Sequence, residues 1–259
     1  MTSHLRGFSW LPFAFAVAGA TCGLIVRGAT VDVTIDTTKA RQAISPYIYG
    51  SNADLPGVTV TARRQGGNRM TGYNWENNAS NAGIDYLHSS DDYLTSMNGI
   101  TGADATVPGK VMTYFHDQSI AAGVPYTLLT LQMAGYVAAD KNGVVQPSEA
   151  APSARWIPVQ DTKPTAFATT PATNDGAVYM DEMVNFLVQK YGPATSAHGV
   201  KGYDLDNEPD LWSNTHPRIH PAQPTAVELI SRSVDLAKAV KRVDPTAETF
   251  GFVSYGFTG

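Results

Sequence analysis

Cysteine is nearly missing from this chain: Cys22 is the only one in 259 residues, and it sits in an apolar amino-terminal stretch. The rest of the chain can therefore form no internal disulfide, offer no thiolate nucleophile and ligate no metal through sulfur. Basic runs are missing too. With 18 Lys and Arg against 23 Asp and Glu, the net charge is −5 and no cationic patch stands out. That composition argues against nucleic acid or an anionic membrane surface as a partner. Internal repeats and low-complexity segments are also lacking, which leaves an ordinary globular domain.

Long apolar runs occur only at the start. In MTSHLRGFSWLPFAFAVAGATCG, Arg6 precedes an apolar run from Phe8 to Ala18, and small residues follow at Ala18-Gly19-Ala20. This is the pattern of a signal peptide spanning residues 1–20, possibly to 29, so the protein is expected to be secreted. An uncleaved anchor is the rival, because apolar residues resume at Leu24-Ile25-Val26. A lipid-modified Cys22 is a weaker reading, since the residues before it lack the aliphatic side chain such sites use.

Beyond residue 30 the chain alternates between strand and helix. VDVTIDTT (31–38) has period two and predicts a strand with one buried face. Short strands are expected within 45–52 and 58–68, a helix over 110–121, and a strand buried on both faces over 124–133. Residues 134–176 read as a long ordered loop. A helix is expected over 177–192, with Met180, Met183, Val184, Leu187 and Val188 facing the core. VKGYDLDNE is the next strand. A helix over 224–245 is apolar at Val227, Ile230, Val234, Leu236, Ala237 and Val240, and ETFGFVSYGF is the last strand. This order points to α/β architecture with a parallel sheet, an incomplete (β/α)8 TIM-type barrel over 44–259. Five strands fit where eight close a barrel, so an apolar edge at FGFVSYGF and poor solubility are expected.

The chemistry concentrates at the end of one strand. Along YDLDNE the pleat sends Asp204, Asp206 and Glu208 to one face and Tyr203, Leu205 and Asn207 to the other. Catalytic groups in such folds gather at the carboxyl ends of strands. Pro209 ends the ladder there and leaves Glu208 fixed yet accessible. Buried Asp204 and Asp206 need partners, and Arg63, Arg64 or Arg69 can answer one of them. A glutamate in this place suits a general acid in glycoside cleavage, with Asn207 bonding the hydroxyl beside the scissile carbon. Strict alternation aims Asn207 away, so the pleat must distort at this terminus.

Aromatic and histidine side chains leave more than one reading. Trp75 and Trp212 fit either sugar-ring platforms or core packing, and Tyr255 lies towards the site by position. His216 and His220 are four residues apart, but a proline follows each, so the helical spacing that would make them a metal pair is not expected.

Three segments together, RRQGGNRMTGYNWENNASNAG, TLQMAGYV and GYDLDNEPDLWSNTHPRIHP, closely resemble glycoside hydrolase family 44. The resemblance runs from about residue 31 to the end. It implies a secreted, retaining endo-β-1,4-glucanase that also cleaves xyloglucan. It also implies a barrel paired with a small β-sandwich, to which residues 31–43 would contribute a strand. By that resemblance Glu208 is the acid/base, Glu76 is a supporting residue, and Asn68 and Arg69 contact substrate. The family's nucleophile is a second glutamate on a later strand. Glu149, Glu182, Glu228 and Glu248 fall in a loop, on two helices and at a strand's amino end, so none fits that role. The chain is therefore expected to be a fragment lacking the nucleophile and inactive alone. A β-glucan is the expected partner, the complete protein a monomer. No cofactor is required, and a structural calcium ion stays open. The alternative is a non-catalytic glucan-binding protein; a third reading has Glu76 or Asp206 as a stand-in partner acid. Gln65 and Asp204 depart from the family pattern, where an aromatic and a small polar residue are expected.

Overall fold

The computed structural model describes residues 32–53 and 57–256, in two units divided after Ala43. The signal-peptide reading lies outside the described residues. In the first unit, residues 32–43 form turns and extended chain but no strand, with Val33 and Ile35 exposed. Alternation marks a face, but a strand also needs a neighbour for its backbone donors. Among the described residues it has none, so the expected sandwich strand is not formed here.

The second unit is built on five parallel strands in sequential order: β1 (Gly50–Ser51), β2 (Ala62–Gln65), β3 (Tyr126–Leu131), β4 (Gly202–Leu205) and β5 (Glu248–Phe250). Three helices pack with them: α1 (Lys110–Ala121), α2 (Met180–Tyr191) and α3 (Ala226–Val243). Leu129, Leu131, Tyr203 and Leu205 share one core with Met183, Val184 and Leu187 of α2 and Leu236 and Val240 of α3. Alternate residues of the same strands turn the other way. Arg64, Leu128 and Gly202 stand in register on that second face, followed by Thr130, Asp204 and Phe250. Towards the amino ends of the strands this face opens into a cavity of about 760 Å³ lined by Tyr47, Ile48, Tyr126 and Glu248.

The sheet is open. Its edge strands β1 and β5 have only two and three residues and, among the described residues, no further partner. The sequence reading expected five strands of an unclosed barrel; the described residues form an open five-stranded sheet and close no barrel.

Two other expectations need correcting. The stretch 134–176, expected as a long ordered loop, contains paired strands. Tyr136–Ala138 pairs with Trp156–Gln160, which pairs with Val178–Tyr179, and Gly143–Val144 extends a ribbon of Ser80–Asn81 and Ser89–Asp91. Arg155 locks the connection through two bonds to Asp140, at 2.7 and 3.1 Å. In α3 the buried face is Leu229, Leu236, Ala239 and Val240, whereas Val227, Ile230 and Val234 are exposed. Thr225 caps that helix by accepting from the Glu228 amide at 3.1 Å.

Candidate active site

The carboxyl end of β4 departs sharply from a pleat. Asp206 and Glu208 both adopt left-handed backbone angles, with φ of 71° and 46°. Such angles are uncommon for residues other than glycine and persist only where surroundings enforce them. Here the enforcement is visible. The Asp206 carboxylate accepts from the amides of Met133 (2.5 Å), Ala134 (3.0 Å) and Asn207 (2.7 Å) and from Thr71 Oγ1 (2.6 Å). It thereby ties the end of β4 to the turn after β3. Complete burial still raises its pKa to about 6, against the lowering effect of those four donors. On the other side, the Glu208 amide donates to the Val253 carbonyl at 2.7 Å.

The two reversals bring Asn207 round to Glu208. Asn207 Oδ1 accepts from Arg64 Nη2 (3.1 Å) and the Gly67 amide (3.2 Å), so its Nδ2 is the atom left to donate to Glu208 Oε2, at 3.2 Å. The amide orientation is thus set by its donors. The distortion that the sequence requires is present, and Glu208 is half-buried at the mouth.

Beneath it Arg64 answers Asp204, the role expected of one of the three arginines. Its Nε and Nη2 reach Asp204 Oδ2 at 3.1 and 2.8 Å, while Thr130 Oγ1 donates to the same carboxylate at 3.0 Å. Burial raises the Asp204 pKa, and the Arg64 charge opposes that rise. The double glycine of RRQGGN now has a reason. A Cβ on Gly66 would lie 2.1 Å from Arg64 Cζ, and Gly67 has φ 105°. Gln65 turns the other way and donates to the Val111 carbonyl at 3.1 Å, so that departure from the family pattern leaves Glu208 untouched.

Several candidate residues take other places. Trp75 is fully buried against Phe186, with ring centroids 5.5 Å apart, and is core rather than platform. Trp212 is also fully buried, but its Nε1 donates to the Asn207 carbonyl at 3.1 Å. It props the site from below. Trp212→Phe keeps most of the packing and removes that bond, so urea unfolding should show a loss of about 1 kcal/mol. An unchanged midpoint would deny it the propping role. Arg69 is held by Asp91 (2.5 and 3.1 Å) and lies 4.2 Å from the Tyr93 ring centroid. Asn68 donates to the Ala82 carbonyl (3.0 Å) and Asp85 (2.9 Å). Both therefore build the loop beside the acid. Tyr255 is exposed, and its amide donates to Asp210 at 3.3 Å. His216 is buried, with its pKa pushed down to about 3 by desolvation, whereas His220 bonds Glu228 at 2.9 Å. The two imidazoles do not converge.

The remaining glutamates are engaged elsewhere. Glu149 pairs with Arg155, Glu228 with Arg232 and His220, and Glu248 accepts from Tyr126 Oη at 2.5 Å. Glu182 accepts from Lys163 Nζ at 2.8 and 2.7 Å and from the Ala168 amide at 3.1 Å. Glu76 is buried beside that pair. Its pKa rises to about 8, mainly through burial and then through the charges of Asp175 and Glu182. The Lys163 ammonium holds the centre of this acidic group. Among the described residues no set of three or more His, Cys, Asp or Glu is arranged to hold a metal ion. This cluster escapes a reading of the sequence, because Lys163 and Glu182 meet only through the 134–176 segment, whose pairing is not local.

The chain matches the family model for glycoside hydrolase family 44 over residues 73–259. It is 57% identical over 235 residues to Endoglucanase A of Paenibacillus lautus, covering 90% of this chain and 33% of that protein. Against the Beta-mannanase/endoglucanase A of Caldicellulosiruptor saccharolyticus it is 56% identical over 231 residues, covering 89% of this chain and 17% of that one. The solved structure of a xyloglucanase from Paenibacillus polymyxa superposes with a TM-score of 0.81 at 62% identity, covering 83% of this chain and 42% of that chain. The sequence thus spans a third or less of these two curated relatives.

Proposed function

Because the chain belongs to glycoside hydrolase family 44, we propose that it contributes the acid/base half of a secreted, retaining endo-β-1,4-glucanase or xyloglucanase. Glu208 is the acid/base. The observation that carries this role is the built terminus of β4, where Asn207, oriented by Arg64 and Gly67, holds the Glu208 carboxyl at the strand's carboxyl end. Sequential parallel strands packed with helices suit part of a (β/α)8 barrel, in which that end carries the chemistry.

In the complete reaction the Glu208 carboxyl protonates the glycosidic oxygen while a second carboxylate attacks the anomeric carbon. The Glu208 carboxylate then takes a proton from the water that releases the sugar. Those two carboxyls need to be ~5–5.5 Å apart. Asp204 and Asp206 are spent on Arg64 and on backbone amides, and Glu76 is buried beside Lys163, so none serves as nucleophile. The second carboxylate is assigned to a part of the family fold that these residues do not include. The chemistry itself uses only carboxyl groups and water, and needs no cofactor.

Calorimetric titration of the 259-residue chain with cellohexaose and xyloglucan oligosaccharides, run beside a reducing-end assay, tests this. Binding without release of new ends is the expected result. Failure to bind any β-1,4-glucan would sink the assignment, and steady turnover by the chain alone would place the nucleophile within it.

A further inference from the structure

Of the two histidines in THPRIHP, His216 is buried and His220 is not. The chain reaches His216 from Glu208 through a 3₁₀ turn (Pro209–Leu211) and one helical turn (Trp212–Thr215), and the His216 amide closes the second on the Trp212 carbonyl at 2.8 Å. Elements this short do not hold themselves, because a single turn fixes several dihedrals for very few bonds. Side chains secure them here. The Leu211 amide donates to the Glu208 carbonyl at 2.8 Å, and Thr215 Oγ1 donates to the Leu211 carbonyl at 3.0 Å. His216 Nδ1 lies 3.1 Å from that same Thr215 oxygen. Hydrogen bonds thus run from the backbone of the acid, through Leu211 and Thr215, to the imidazole.

Their direction places the ring's proton. Thr215 uses its hydroxyl hydrogen on Leu211, so its oxygen accepts from His216 and the proton sits on Nδ1. Nε2 is then a bare acceptor, buried with no donor among the described residues. Charging such a ring is costly. His216 is 1% exposed, and desolvation first, then the nearby His88, push its pKa down to about 3. His88 is itself lowered, by burial and then by the charge of Arg218. The imidazole is also walled in. A Cβ on Gly83, whose φ is 54°, would stand 3.0 Å from His216 Nε2 and 2.3 Å from the Thr215 carbonyl oxygen, so only glycine lets the 83–86 turn close over it. A buried nitrogen without a partner lowers stability, so packing does not explain a histidine at this place. The bond from Nδ1 does.

We propose that His216 is a positioning residue for Glu208, and that as a neutral imidazole protonated on Nδ1 it fixes, through Thr215 and Leu211, the turn on which the acid stands. It rests on the glucanase assignment above and adds to it the group that holds the acid in place once β4 has ended.

Native-state hydrogen exchange on the 259-residue chain, read amide by amide by NMR, tests this. Thr215→Val keeps the side chain's shape and removes the hydroxyl that joins the ring to the turn. The Leu211 amide should then exchange about tenfold faster, in line with the loss of one hydrogen bond, while the Met183, Val184 and Leu187 amides of α2 keep their rates. His216→Leu should act alike, the double variant should add nothing further, and His216→Asn, whose Nδ2 can donate to Thr215 in place of Nδ1, should restore most of the protection. Histidine ¹⁵N spectra give a second readout, in which His216 is neutral at pH 6 with its proton on Nδ1. Wild-type exchange at Leu211 in Thr215→Val, acceleration shared equally by α2, additive effects in the double variant, or a proton on Nε2 overturns the positioning role. None of these readouts involves catalysis, so each leaves the glucanase assignment standing. An intact anchor in a chain that binds no β-glucan overturns the assignment instead, and leaves His216 holding a turn without an acid.

Discussion

Replacing Glu208 by Gln should cut xyloglucan hydrolysis by ~10³-fold in a chimera in which residues 44–256 of this chain stand in for the matching part of the Paenibacillus polymyxa xyloglucanase. That size lies inside the ~10²–10⁴-fold range for a positioned proton donor. Glutamine keeps a carbonyl oxygen to accept from Asn207 Nδ2, which sits 3.2 Å from Glu208 Oε2, so ground-state binding should survive. The fall should appear in kcat with KM little changed. Leaving groups that need no protonation give a sharper check. Aryl glycosides with acidic phenols should still glycosylate the chimera's nucleophile and then stall, because the second step also needs Glu208 to take a proton from water. An added anionic nucleophile that needs no base should release them. If the Gln variant cleaves xyloglucan at the unmutated chimera's rate, Glu208 is not the acid.

Much of this site can be read from residue order alone, because its parts are local. A glutamate followed by proline at the end of an apolar strand says that the ladder stops and a carboxyl remains. The α2 stripe is equally local: Met180, Met183, Val184 and Leu187 are buried, and Val188 is partly buried against the same core. What resists is whatever depends on distant partners. The left-handed turns at Asp206 and Glu208 exist because Thr71, Met133 and Ala134 supply donors from far along the chain, which no window around residue 206 contains. Residue order leaves the two tryptophans balanced between platform and core for a similar reason. An indole suits both places, and neighbours from other segments, Phe186 for Trp75 and His220 for Trp212, decide. In α3 two apolar stripes compete, and only the position of the sheet selects Leu229, Leu236 and Val240 over Val227, Ile230 and Val234. Period-two alternation at 32–38 fails most plainly, since a strand is a property of a pair.

The largest loss of stability is expected from Lys163→Met, at about 3–5 kcal/mol near pH 8 in urea unfolding. Methionine preserves much of the apolar stem, so the loss is one of charge. Lys163 Nζ donates to both Glu182 oxygens and to Asp175 at 3.0 Å, with the side chains of Lys163 and Glu182 only 5% and 1% exposed. Without the ammonium, two carboxylates remain facing buried Glu76, each raising the others' cost of ionisation. The pH dependence identifies the cause. Glu76 already has a folded pKa of about 8 against an ordinary 4.5. A carboxyl shifted upward contributes stability below its unfolded pKa and loses that contribution as pH rises through the folded value. Lys163 lowers the Glu76 pKa, so its removal pushes that carboxyl higher still and makes ionising the cluster costlier. The penalty of the Met variant should therefore be smaller at pH 5 than at pH 8. Adding Glu182→Gln should recover a large part of it, because a neutral amide can stay buried without a cation. A penalty that is the same at both pH values, or that Glu182→Gln deepens, would mean that Lys163 acts through its hydrocarbon stem and not through the charge it brings to Asp175 and the buried Glu182 and Glu76.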